Sequence, residues 1–216
     1  MAKLITLETS VKRLGRGANQ PLFDTLTYAA AGAASYRFFN QSVGGAVTEA
    51  DTNMTQAAQL PEGGLFILDG FALEFKQPEA AADFETRLLD FNKVRNAGLF
   101  RFKVGSTDII KVPASQIPSW MAGATGAWAH ASTAAASSRG FLHSGVAIPK
   151  NIFPVRVYEV TQDAAGKRRI QEVKFRLEGK VSFQVSLEFP AGLVTVSADW
   201  KIRCYAAGAY FEPLVA

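Results

Sequence analysis

Residues 180–204 alternate apolar and polar side chains through two consecutive arms. In the first, Val181, Phe183, Val185, Leu187 and Phe189 interleave with Lys180, Ser182, Gln184, Ser186 and Glu188. After Pro190-Ala191-Gly192, Val194, Val196, Ala198, Trp200, Ile202 and Cys204 interleave with Thr195, Ser197, Asp199, Lys201 and Arg203. Successive side chains of an extended strand point to opposite faces, so a period of two marks strands with one face on a core and one in water. The segment predicts a β-hairpin and commits the chain to a β-rich fold. Its polar face carries no set of side chains suited to catalysis, so it reads as the wall of a scaffold.

A chain of 216 residues, 48% hydrophobic and with 16 phenylalanines, can bury one large core. No uninterrupted apolar run approaches the roughly 20 residues of a membrane-spanning helix. Near the start, Leu4, Ile5 and Leu7 are interrupted by Thr6, Glu8, Thr9 and Ser10, so no signal peptide is expected and synthesis in a cytoplasm is. The single Cys204 excludes an internal disulfide framework and a multi-thiolate metal site, and its register with Trp200 and Ile202 assigns it to the buried face. Of the net charge of +4, residues 1–20 supply +3, from Lys3, Lys12, Arg13 and Arg16 against Glu8.

Residues 1–21, with Gly15, Gly17, Asn19 and Pro21, read as an N-terminal basic arm preceding a single domain over 22–216. Residues 23–39 are ambiguous, because Ala29 to Ala34 favour helix locally while Tyr36, Phe38 and Phe39 favour a strand after Ala33. Residues 41–59 read as a long surface connection or a strand flanked by loops. Residues 65–75 form a nearly continuous apolar run broken at Asp69-Gly70, which predicts a central strand, buried on both faces or bulged at the glycine. Residues 80–94 change to helical spacing at Phe84, Leu88, Leu89 and Phe91, predicting a short helix over an end of the sheet. Residues 99–104 and 108–112 flank a Gly105-Ser106-Thr107 turn, and 153–161 and 169–177 flank a second turn. The expected total is about eight strands.

Residues 118–147 stand out as a long insertion of Ala, Ser and Gly carrying Trp120, Trp128, Arg139, Phe141 and both histidines. A loop of that length inside a compact domain is uncommon unless it binds something. From Ile109 to Tyr158 there is no Asp or Glu, so the local field is expected to be weakly positive. Trp120 and Trp128, with Arg139 and Phe141, are candidate subunit contacts, since aromatics enrich at interface cores; the other reading is that they pin the loop to its own domain. For the arm, charge-driven contact of Lys3, Lys12, Arg13 and Arg16 with phosphates or anionic lipid stands beside a solubilising terminus.

Reactive constellations are sparse. His130 and His143 have no carboxylate in their segment and are off helical i, i+4 register, which argues against a metal. Ser132, Ser137, Ser138 and Ser144 lack a nucleophile-elbow pattern, and Gly15-Arg16-Gly17 and Gly123-Ala124-Thr125-Gly126 lack the lysine and the strand and helix of phosphate loops. Carboxylate pairs such as Glu159 with Asp163, or Glu172 with Glu178, fall on strands and turns where solvated surface is the ordinary outcome. No enzyme and no cofactor is expected.

Asp51-Thr52-Asn53-Met54, then Gln59-Leu60-Pro61 and the strand over 65–75, then Ile109-Ile110-Lys111-Val112-Pro113 leading into the small-residue loop, then the closing arms at 183–189 and 193–205, occur in an order that resembles the single jelly-roll major capsid proteins of tailless icosahedral bacteriophages. The resemblance covers about residues 38–210 and rests on segment order. It implies an all-β, two-sheet antiparallel sandwich of jelly-roll type, with eight strands, that assembles with copies of itself into capsomers enclosing the genome, often around an internal membrane. The implied partners are other copies, other capsid proteins, and the genome or a membrane through the arm; the implied location is the virion after synthesis in the host cytoplasm. The arm is less basic than expected of a coat protein that packages nucleic acid by itself, which leaves a membrane or another protein as an inner partner. The alternative is a jelly-roll binding module, lectin-like or receptor-binding, with the 120–141 loop stacking on a sugar. A cupin-like or hydrolytic sandwich is the weakest reading, since the chain has only two histidines, both outside the clear strands.

Overall fold

The computed structural model describes residues 17–18, 20–76, 84–118, 152–162 and 167–211. In chain order these form β1 (Gly17–Ala18), β2 (Leu22–Tyr28), β3 (Ser35–Phe38), β4 (Leu65–Lys76), helix α1 (Phe84–Ala97), β5 (Leu99–Val104), β6 (Thr107–Pro113), a 3-10 turn (Ala114–Gln116), β7 (Phe153–Pro154), β8 (Val157–Gln162), β9 (Arg168–Val173), β10 (Phe175–Glu178), β11 (Phe183–Glu188) and β12 (Trp200–Phe211). Two antiparallel sheets make a sandwich of a kind compatible with jelly-roll geometry. In one, β2 and the short β1 flank β12, β4 lies on the other side of β12, and β10 and β7 lie beyond β4; the other runs β3-β11-β5-β6. Eight strands therefore build the sandwich rows, β1 and β7 are two-residue additions, and β8 and β9 pair only with each other among the described residues.

The interior is joined by phenylalanines. Phe71 of β4 meets Phe100 and Phe102 of β5 at ring-centroid distances of 5.3 and 5.0 Å, and Phe102 is edge-on to Phe175 at 5.6 Å. At another point Tyr28 stacks on Tyr36 at 4.6 Å, and both present edges to Phe189. Such tilted and edge-on pairs suit the ring quadrupole and hold the sheets together beyond simple area burial.

The strand over 65–75 takes the predicted central place, and the bulge is real. Pairing with β12 steps from Ala207 opposite Gly70 to Gly208 opposite Leu68, which leaves Asp69 as the extra residue. Its backbone carbonyl accepts the Val155 N–H at 3.0 Å, and its carboxylate meets the Lys174 ammonium at 2.7 Å. Gly208 is required at the step because a Cβ there would run into the Ile67 carbonyl.

The predicted hairpin over 180–204 is corrected. Its first arm, β11, belongs to the sheet with β3 and β5; its second arm becomes strand only from Trp200, in the opposite sheet. Residues 193–199 cross between sheets, and their backbone groups are taken elsewhere: Val196 N–H donates to the Ala30 carbonyl, and Ser197 N–H to the Asp90 carboxylate. Alternation reports which face is buried, and it is indifferent to which strand lies alongside. The turn facing this crossing uses Gly32 at φ +72°, where a side chain would be strained and would also strike Val194.

Other expectations shift by smaller amounts. The helix runs from Phe84 to Ala97; it turns Phe91 onto Phe75 at 5.1 Å and buries Val94, but leaves Leu89 60% exposed. Residues 23–39 contain strands on both sides of a turn, so β2 was missed. Residues 41–59 form no strand, yet Thr52 and Met54 are buried. The hairpin over 99–112 forms as expected. Of the segment expected as two strands over 153–177, most becomes the separate β8–β9 ribbon, and only Phe153–Pro154 and Phe175–Glu178 join the sandwich.

Candidate interaction surfaces

All the contact residues read from sequence, Lys3, Lys12, Arg13 and Arg16 in the arm and Trp120, Trp128, Arg139 and Phe141 in the loop, lie outside the described residues, as do His130 and His143. The polar groups that the fold does bring together lie at three places.

At the β2 edge, the Asp51-Thr52-Asn53-Met54 segment stands in for a neighbouring strand. Asn53 accepts the Phe23 N–H at 2.8 Å and donates to the Pro21 carbonyl at 2.8 Å, while the Thr52 hydroxyl donates to the Phe23 carbonyl at 3.0 Å. Two backbone groups of an outer strand, and the Pro21 carbonyl just before it, are thereby withdrawn from chance pairing with another chain. Next to Phe23, buried Asp24 accepts the Phe39 N–H at 2.6 Å and the Gln41 side-chain amide at 3.0 Å. Burial pushes the Asp24 carboxyl above its ordinary value despite those donors. These contacts hold the 40–54 connection to β2. Asn53→Ala removes a donor and an acceptor at once and is expected to lower stability by about 1–2 kcal/mol, read as a lower urea midpoint with an unchanged slope.

Over the outer face of the β3-β11-β5-β6 sheet, Arg101 forks onto Asp108 with two bonds of 2.7 Å and reaches Glu188 at 3.3 Å. The guanidinium holds Asp108 below the usual carboxylate range, and the carboxylates raise Arg101. Ser186 occupies the polar phase of its strand as expected. It is nevertheless only 1% exposed, because the register sets it between Arg37 and Arg101 and its hydroxyl donates to Glu188 at 3.0 Å. The sequence reading of this face as free of chemistry overlooked that network, whose members come from three strands; the network binds side chains to one another across the sheet.

Where α1 meets the crossing, Asp90 is 2% exposed and accepts the Ser197 N–H at 2.7 Å and the Ser197 hydroxyl at 2.5 Å. Burial alone would raise its carboxyl, but these donors and Lys93 bring it below the ordinary aspartate value. Nothing in the local sequence marks Asp90, since its partner lies 107 positions away.

Two open grooves flank these places. One, of about 400 Å³, is lined by Thr25, Thr27, Arg37, Gln41, Asp51 and Lys201; the other, of about 510 Å³, by Lys93, Asn96, Leu193 and Thr195 among others. The first brings Asp51 within the field of Lys201, and among the described residues no three metal-ligating side chains converge. Cys204 is fully buried opposite Asp24, with its thiol pushed well above the ordinary range by burial. Among the described residues, the largest apolar exposures fall outside the polar clusters, at Ile170, Leu193, Leu89, Val160 and Tyr158. The chain matches no family model, no curated protein and no solved structure. What the described residues define is a β-sandwich with three polar clusters that link its strands and connections.

Proposed function

We propose that the sandwich is a jelly roll and that the chain is a structural virion protein, which self-assembles into an icosahedral phage capsid enclosing the genome. One observation carries the reading. Counting the eight sandwich strands in chain order, one sheet runs 1-8-3-6 and the other 2-7-4-5, the interleaving that two nested Greek keys produce. That architecture is shared by coat proteins, lectins and cupins, so the choice among them rests on sites. The described polar clusters cross-link the subunit to itself, while apolar side chains stand on the outside, as a building block requires. The segment order resembling phage coat proteins supports the same choice, with the arm as the contact to genome, membrane or an inner protein.

Sedimentation velocity and negative-stain microscopy of the full chain test this. Discrete capsomers or closed particles are the expected result. A monomer at every salt and protein concentration would count against the coat reading, and glycan-array hits abolished by Trp128→Ala would replace it with a sugar-binding module.

A further inference from the structure

The β8–β9 ribbon is the one described element that the sandwich does not explain. A two-stranded ribbon is marginal in water on its own. This one leaves an entire face in solvent, with Tyr158, Val160 and Ile170 exposed by 52, 60 and 72%. Val160 and Ile170 are directly opposed across the ribbon, and Tyr158 lies opposite Glu172 on the same face. A contiguous apolar strip on an otherwise charged hairpin marks a contact surface.

The sequence of β9, Arg168-Arg169-Ile170-Gln171-Glu172-Val173, says what fits it. Arg168 stands two positions before Ile170 and Glu172 two after, all three on the apolar face. An antiparallel copy of β9, related by a two-fold axis through Ile170, sets Arg168 of each chain opposite Glu172 of the other and Ile170 against Ile170. Opposite charges directly across from one another stabilise a strand pair, and like charges destabilise it. Neighbouring registers fail on that criterion: an axis through Arg169 opposes the two Arg169 side chains, and one through Gln171 opposes Arg168 to Lys174. An axis falling between residues turns the two apolar faces to opposite sides of the sheet. Glu172 is available for such a pair, since its own-chain contact with Arg156 is a loose 4.0 Å between exposed groups.

We infer that β9 is a self-complementary edge, through which two copies of the chain join their ribbons into one four-stranded antiparallel sheet about a two-fold axis at Ile170. The Val160 and Ile170 side chains of both copies then form one continuous apolar strip, and the contact is isologous, as a two-fold demands. It adds strands by main-chain hydrogen bonding, with side chains setting the register. The inference rests on the self-assembly reading and names one of its contacts.

Complementary charge reversal tests it on the full-length protein. Arg168→Glu alone opposes two carboxylates to two carboxylates in a homodimer, and Glu172→Arg alone opposes arginines to arginines. Each variant is expected to associate at least about tenfold more weakly than wild type by sedimentation. In a one-to-one mixture the two introduced charges, a carboxylate at position 168 and a guanidinium at position 172, face each other at one end of the contact. At the other end the unaltered Arg168 and Glu172 do the same. Association should therefore return, and native mass spectrometry should show the mixed pair in excess over either homodimer. Rescue on mixing separates pairing from misfolding, because an unfolded variant is not repaired by another. Single variants that assemble into the same particles as wild type would overturn this contact while leaving the coat reading intact, as would a mixture that stays dissociated beside an assembling wild type. A wild-type chain that never associates would overturn both.

Discussion

Phe71→Ala will lower the unfolding free energy by about 3–5 kcal/mol, the range for emptying a large aromatic from a packed core, and enough to threaten the fold of a domain with ordinary stability. Phe71 is 1% exposed on the central strand β4, and its ring is the piece of that sheet lodged against both Phe100 and Phe102 of the other. Its loss removes contacts between the two layers. Phe71→Leu, which refills part of the volume, should recover a good part of the loss. Equilibrium urea unfolding of the three proteins gives the comparison; an alanine variant within about 1 kcal/mol of wild type would mean that Phe71 is not an inter-sheet anchor.

Asp90→Ala should cost about 2–3 kcal/mol at neutral pH, because it leaves the Ser197 N–H without its charged acceptor. The loss should also depend on pH, with a sign the geometry determines. The folded-state carboxyl lies below the ordinary aspartate value, so its ionised form stabilises the fold fully above about pH 4, and the contribution fades as pH falls through the folded-state value. Wild type and variant should therefore differ most at about pH 6 to 7 and draw together toward about pH 3. Urea midpoints measured across that range that stay parallel would show that Asp90 acts through packing alone. Asp90→Asn separates the two contributions: it keeps an acceptor for one Ser197 donor, and with no charge to lose it should flatten the acid dependence.

The strands were legible in the sequence wherever one residue in two was apolar, and less so where the information was non-local. Cys204 could be placed on the inner face from Trp200 and Ile202 alone, and the bulge at Asp69-Gly70 from a break in an apolar run. The partner of β11 could not be placed, since its alternation is satisfied equally by a hairpin with β12 and by the observed position between β3 and β5. Strand β2 was obscured because Asp24 and Thr25 are polar yet buried, their polarity absorbed by Phe39, Gln41, Thr52 and Arg203 from distant segments. Asp90 and Asn53 were invisible for the same reason: a carboxylate or amide becomes structural only when the chain returns to it. The ribbon was visible as a hairpin, but its detachment from the sandwich was not, because local pairing signals say nothing about what covers a sheet. The candidate contact residues in the arm and the 118–147 loop lie outside the described residues, and the exposed strip on β8 and β9 took their place only once burial was known.

The position of β12 bears on how such a chain can be made. It lies between β2 and β4, whose residues leave the ribosome about 125 to 185 positions earlier, and long-range pairings of this kind form late. Until Trp200–Phe211 has been synthesised, β2 and β4 both lack their shared neighbour, and the middle of the sheet is two open edges exposed to stray pairing. β12 is thus the keystone of the sheet. A chain interrupted before Trp200 has no strand to place between β2 and β4, so this sheet closes only after that segment has been made.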